Sequence, residues 1–150
     1  MKLLLDTHSL IWFFSGDPKL SNTARIYMED VKHQKLISLA TVWEMAIKHS
    51  KNKLTLALPL EDYIQQKLKL EDFELLPIRL NHLTIISALP FYHNDPFDRL
   101  IIAQAMVEKI TIKLSGRSLI TDETQYPTPN TPEWAIAILS NLLTPYSSLI

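Results

Sequence analysis

The sequence predicts an α/β fold built on a parallel sheet. Short apolar runs recur at residues 2–5, 35–38, 73–78 and 118–121, as expected of strands covered on both faces. Helix-like segments lie between successive runs, the alternation that a parallel sheet requires. Polar residues gather where the runs stop, with Asp6-Thr7-His8 after the first and Asp122-Glu123 after the last.

Taken in order, residues 2–5 form the first strand and residues 9–14 turn into a short helix, closed by the turn Gly16-Asp17-Pro18. Ser21 is placed to cap an amphipathic helix reaching about Lys32, with Ala24, Tyr27, Met28 and Val31 at helical spacing. A strand at 35–38 leads into a helix opened by Ser38 or Thr41, which carries Trp43, Glu44 and Met45 and runs out into Lys48, Lys51 and Lys53. Pro59 suits the first position of a helix that continues to about Leu70. A strand at 73–78 and a helix at 81–89 follow. Asp95 then reads as an N-cap, with Pro96 first in the helix and Asp98 third. Leu100, Ile101, Ala103, Ala105 and Met106 make that helix nearly apolar and therefore central. Residues 110–117 read as a link into the last strand at 118–121.

At 150 residues, 47% of them hydrophobic, the chain is expected to form one domain. Its two glycines fit neither dinucleotide-type nor nucleotide-type phosphate loops. The absence of cysteine excludes disulfides, thiolate nucleophiles and zinc ribbons, and fits a reducing compartment. Asp6 and His8 interrupt the N-terminal apolar run before a signal peptide can form. With no run long enough to span a bilayer, the protein is expected to be soluble and cytoplasmic. A net charge of −1 leaves polyanion binding to a local patch or to metal ions.

The acids carry the chemical argument. In an open parallel sheet, ligands bind at the carboxyl ends of the strands, so Asp6 and Asp122 converge there and the helix start at Asp98 joins them. Glu44 stands in an otherwise apolar helix. Carboxylates without a cysteine or histidine cluster suit Mg²⁺ or Mn²⁺ better than Zn²⁺. Such a site activates water and stabilises the leaving oxygen of a phosphodiester. Each acid also has a plainer reading. Asp6 and Asp98 can serve as helix caps, Glu44 as an i,i+4 partner of Lys48, Asp95 as a cap only, and Asp122 as a turn residue. The inference rests on the set.

Three segments together resemble the PIN-domain nucleases, in particular the VapC-type toxins of bacterial toxin–antitoxin pairs. They are Leu3-Leu4-Leu5-Asp6-Thr7-His8, Val42-Trp43-Glu44-Met45-Ala46-Ile47-Lys48, and His93-Asn94-Asp95-Pro96-Phe97-Asp98-Arg99 with Ile102-Ala103-Gln104-Ala105. The resemblance implies a three-layer α/β/α sandwich around a central parallel sheet. It also implies Mg²⁺-dependent cleavage of single-stranded RNA, a homodimer, and a small antitoxin protein as inhibitor. The acidic quartet it implies is Asp6, Glu44, Asp98 and Asp122, with Glu123 as the alternative fourth ligand. The family's usual Thr or Ser, one residue, then Asp is here Thr121-Asp122-Glu123, which is why both acids stand. The resemblance covers residues 2–106 in register. The whole chain, 1–150, is expected to be a single PIN-like domain with its core at 1–126. The Pro-rich stretch after Tyr126 and the helix-like 132–143 make 127–150 an atypical C-terminal segment.

Further residues have two readings each. His8 and His93 touch metal or phosphate, or simply line loops. Arg99 pairs with Asp98 or contacts phosphate. Lys48, Lys51 and Lys53 hold RNA backbone or form a solvated helix end. Trp12, Phe13, Phe14 and Trp43 are expected in the core or a dimer interface rather than under nucleobases. Thr7 and Thr121 are placed to orient neighbouring carboxylates. Two other functions compete: a PIN-like binding module that has lost its fourth ligand, and a phosphotransferase with Asp6 as nucleophile. The second needs an aspartate two residues further on, where this chain has His8.

Overall fold

The structure, a computed structural model, describes residues 2–89, 94–114 and 117–119. Its strands are β1 (Lys2–Leu5), β2 (Gln34–Ser38), β3 (Phe73–Leu76), β4 (Thr111–Leu114) and β5 (Arg117–Leu119). Its helices are α1 (Thr7–Ser15), α2 (Asn22–Glu29), α3 (Leu39–Ser50), α4 (Leu60–Leu70), α5 (Leu80–Ala88) and α6 (Pro96–Glu108). One sheet runs in the order β3-β2-β1-β4-β5. The pairs β1–β2, β1–β4 and β2–β3 are parallel, while β5 joins β4 antiparallel.

Strand alternation divides the interior into two cores. Leu4, Leu36 and Leu76 face Leu89, Ile101, Ile102 and Ala105, beneath α5 and α6. Leu5, Ile37 and Phe73 face Leu10, Leu20, Met28, Met45 and Ile64, beneath α1 to α4. Helices on both faces of a mainly parallel sheet make the three-layer α/β/α arrangement.

The structure departs from expectation at the sheet's far edge, at the end of α2, at the start of α4 and at the end of β3. Residues 110–117 are not merely a link: they contain β4, the parallel neighbour of β1. The run at 118–121 supplies only the antiparallel edge strand β5 in its described part. The α2 helix stops at Glu29 rather than near Lys32, because Asp30 leaves helical geometry and accepts the Lys32 backbone N–H at 2.9 Å. Val31 is consequently 82% exposed and no part of an apolar face. Pro59 is the cap of α4 rather than its first helical residue, and β3 ends at Leu76, just before Pro77.

Strand β1 is central, with β2 on one side and β4 on the other. That reversal of strand order is where an open α/β sheet leaves a crevice beyond its carboxyl ends. The α6 helix ends at Glu108 just before β4 begins at Thr111. Its N-terminus therefore lies at the same carboxyl edge, the edge at which β1 releases Asp6.

Candidate metal centre

Asp6 is the residue at which β1 becomes α1. Its carboxylate accepts the backbone N–H of Ser9 at 3.2 Å and of His8 at 3.3 Å, so it caps the helix as the plainer reading expects. Capping does not exhaust it, since each carboxylate oxygen retains lone-pair capacity. The residue is buried, and burial holds its carboxyl above the ordinary range against the opposing pull of Ser9 and His8.

Glu44 stands in the second turn of α3, a helix that Ser38 opens by accepting the Ala40 backbone N–H. Its carboxylate meets the Lys48 ammonium at 3.2 Å, one helical turn on. The pair is not a solvated one: the Glu44 side chain is only 13% exposed. Asp98 is the third residue of α6, downstream of Asp95, whose carboxylate accepts from the Phe97 and Asp98 backbone N–H groups. Asp95 is thus a cap, as expected.

Asp98 brings the set together. Its carboxyl is pushed up to about 7, first by burial and then by the negative charges of Asp95, Asp6 and Glu44, with Lys48 pulling the other way. Three elements therefore deliver Asp6, Glu44 and Asp98 to one electrostatic neighbourhood. Among the described residues, no three acid or histidine side chains already stand as a group positioned to hold a metal ion. The donor chemistry fits a hard divalent cation nonetheless: all-oxygen, anionic, and disfavouring its own charge until a cation is added. Asp122, Glu123, Thr121 and His93 lie outside the described residues, as does the segment 127–150.

Other sequence-based expectations resolve differently. Arg99 is buried, and its guanidinium donates to the carbonyls of Ile86 at 3.1 Å and Leu89 at 2.9 Å. It ties the last turn of α5 to α6 instead of presenting itself to phosphate. His8 is exposed, with its ring 5.9 Å from that of Trp12. The buried Thr7 hydroxyl makes no hydrogen bond to Asp6, which is bonded instead by the backbone N–H groups of His8 and Ser9. Phe13 and Phe14 pack edge-on against Phe73 in the core, as expected. Trp43 does not: it is 56% exposed, with its ring 5.1 Å from that of Phe97.

One contributor escaped sequence reasoning. The Ser38 hydroxyl donates to the Gln104 side-chain carbonyl, and the Gln104 amide donates to the Pro77 carbonyl at 3.2 Å. This fully buried link fastens the start of α3 to α6 and sets the helix bearing Glu44 against the helix bearing Asp98. The signal was available: an amide side chain within Ile102-Ala103-Gln104-Ala105 needs a buried partner.

Comparison with known proteins follows the same lines. The PIN domain family model matches residues 3–126. Among solved structures, the chain is similar to VapBC2 from Rickettsia felis, crystallised bound to a DNA fragment from its promoter. The identity there is 15% and the TM-score 0.54, over 75% of this chain and 86% of that one. It is also similar to a toxin-antitoxin complex from Klebsiella pneumoniae, at 23% identity and a TM-score of 0.50, over 73% of this chain and 82% of that one. Both likenesses are of fold. No curated protein matches the sequence.

Proposed function

The chain belongs to the PIN-domain family, whose members are generally nucleases, and on that premise we propose that it is a Mg²⁺-dependent endoribonuclease cutting single-stranded RNA. The observation that carries the proposal is that Asp6 and Glu44 lie near enough to the half-buried Asp98, at the carboxyl edge of the sheet, for their charges to help push its carboxyl up to about 7. Asp6, Glu44 and Asp98 would hold the ion, with Asp122 as the fourth acid and Glu123 as its alternative; Mn²⁺ suits the same oxygens. The ion, when bound, makes a water nucleophilic at neutral pH and stabilises the leaving oxygen of the phosphodiester. The chain's own part is to hold and charge the site. Asp98, pushed up to about 7, would give up its proton to the field of a bound cation, and Lys48, 3.2 Å from the Glu44 carboxylate, holds that side chain in place. The Ser38–Gln104 link keeps the two acid-bearing helices in register, and Arg99 ties α6 to the end of α5.

The proposal extends to a toxin's partners. The two solved relatives come from toxin–antitoxin systems, which supports a small antitoxin protein as the inhibitor of this chain. A homodimer, a cytoplasmic location and a single domain with its core at 1–126 belong to the same proposal. No helix among the described residues is long and apolar enough to cross a membrane. The test is cleavage of end-labelled single-stranded RNA by the purified protein. Cutting that needs Mg²⁺, stops in EDTA and is lost in Asp6→Asn supports the reading, and cutting that persists in excess chelator overturns it. One observation favours a second reading, a PIN-like binding module: the described acids do not by themselves stand as a metal-holding group. That module would retain RNA without cutting it.

A further inference from the structure

We propose that the indole of Trp43 is a stacking platform for one unpaired nucleobase of the substrate, beside the acids that act on its backbone; this rests on the ribonuclease reading. Trp43 is more than half exposed, although it belongs to a largely apolar helix packed against α6. It immediately precedes Glu44, and the ring it touches, Phe97, immediately precedes Asp98. The aromatic pair therefore stands at the rim of the acidic site and joins the same two helices that supply two of its carboxylates.

The pair's geometry suits a platform. The rings meet edge to face, with centroids 5.1 Å apart and planes at 79°. That contact holds the indole while its exposed surface remains open, so little side-chain freedom is left to lose when a base stacks on it. Beyond the acids, α3 runs out through Lys48 into the exposed Lys51 and Lys53, a basic end able to follow a phosphate backbone. A stacking ring beside a cationic path is how proteins hold single strands without reading their sequence.

The surroundings also separate this occupant from a second protein chain. The centre of a protein–protein interface is depleted of charge. Trp43 and Phe97 instead neighbour Glu44, Lys48, Asp95 and Asp98 along their own helices. A nucleotide brings both a π face for the ring and a charged backbone for the site. Because every base has a π face, the platform would accept any unpaired base and reject a paired one.

The test is equilibrium binding of a short labelled oligouridylate to the full chain carrying Asp98→Asn, which leaves the oligomer intact. Adding Trp43→Ala should weaken binding at least about fivefold, the low end for one base–aromatic stack. Trp43→Phe should recover most of the loss, and an abasic oligomer of equal length should bind both variants alike. Intrinsic fluorescence should be quenched on binding, and much less so in Trp43→Phe. Equal binding by Trp43→Ala, or an equal loss on the abasic oligomer, overturns the proposal. So does a fall in sedimentation coefficient with Trp43→Ala, which would place the residue in a contact between protein chains. If the parent protein binds no oligomer at all, the ribonuclease reading itself has failed and this inference falls with it.

Discussion

Replacing Asp98 by asparagine removes a strained, half-buried charge while keeping the side chain's shape. The strain can be sized from its titration. Asp98 titrates near 7 in the fold against an ordinary 3.8, and at about 1.4 kcal/mol per pH unit that gap corresponds to about 4 kcal/mol. Because the folded value lies above the unfolded one, the folded state binds the extra proton. Stability is therefore full below about pH 4, falls as pH rises toward 7, and stays reduced above it. Asparagine carries no charge to strain, but it forgoes the carboxylate's interaction with the α6 N-terminus, worth about 0.3–1 kcal/mol. With local relaxation, the metal-free variant should be more stable than wild type at pH 8 by roughly 2–3 kcal/mol. For a domain of this size that raises the melting temperature by roughly 4–12 °C. The advantage should vanish near pH 4. Asp6, also raised by burial, leaves both proteins a residual loss of stability as pH rises above its ordinary 3.8. Urea melts of the two proteins from pH 4 to pH 8 decide the matter. If the variant is the less stable one at pH 8, Asp98 acts only as a helix-terminus carboxylate and the electrostatic account of the site is wrong.

Three further outcomes follow from the same geometry. Mn²⁺ at about a hundred times its dissociation constant should stabilise wild type by about 2.7 kcal/mol; in thermal melts Asp98→Asn should lose this gain and Glu29→Gln, on an exposed position of α2, should keep it. Arg99→Met should lower stability by about 2–4 kcal/mol in urea, because the Ile86 and Leu89 carbonyls lose a charged donor; unchanged stability with weakened RNA binding would instead make Arg99 a phosphate ligand. Gln104→Met should cost about 1–3 kcal/mol by stranding Ser38 and Pro77, and should slow RNA cleavage as α3 loosens against α6; full stability would show that the link is dispensable.

Much of this architecture can be read from the chain because local and global signals agree in it. The run Leu3-Leu4-Leu5 has to be covered on both faces, and it is. Asp95-Pro96 announces the start of α6, and the apolar stretch after it announces that the helix is central. The acids at Asp6 and Asp98 follow from the rule that strands and helices present their ends at one edge of a parallel sheet. Strand β4 was illegible for a definite reason. Thr111-Ile112-Lys113-Leu114 alternates polar and apolar residues, whereas a strand between two others in such a sheet is expected to be continuously apolar. Trp43 misled for the opposite reason. An aromatic in an apolar helix is ordinarily core, and only the packing of α3 on α6 shows that this one faces outward. Arg99 illustrates a third limit, since a charged residue in a catalytic-looking motif can be spent on two carbonyls a helix away.

The measurement that bears most directly on the account is a calorimetric titration of the full chain with Mn²⁺, repeated on Asp6→Asn, Glu44→Gln, Asp98→Asn, Asp122→Asn and Glu123→Gln. The account predicts binding in wild type, at least a tenfold loss of affinity in each of the first three variants, and a comparable loss in only one of the last two. Mn²⁺ affinity that survives in Asp6→Asn and Asp98→Asn would contradict it, because the carboxylates at the sheet's switch point would then not be the metal site.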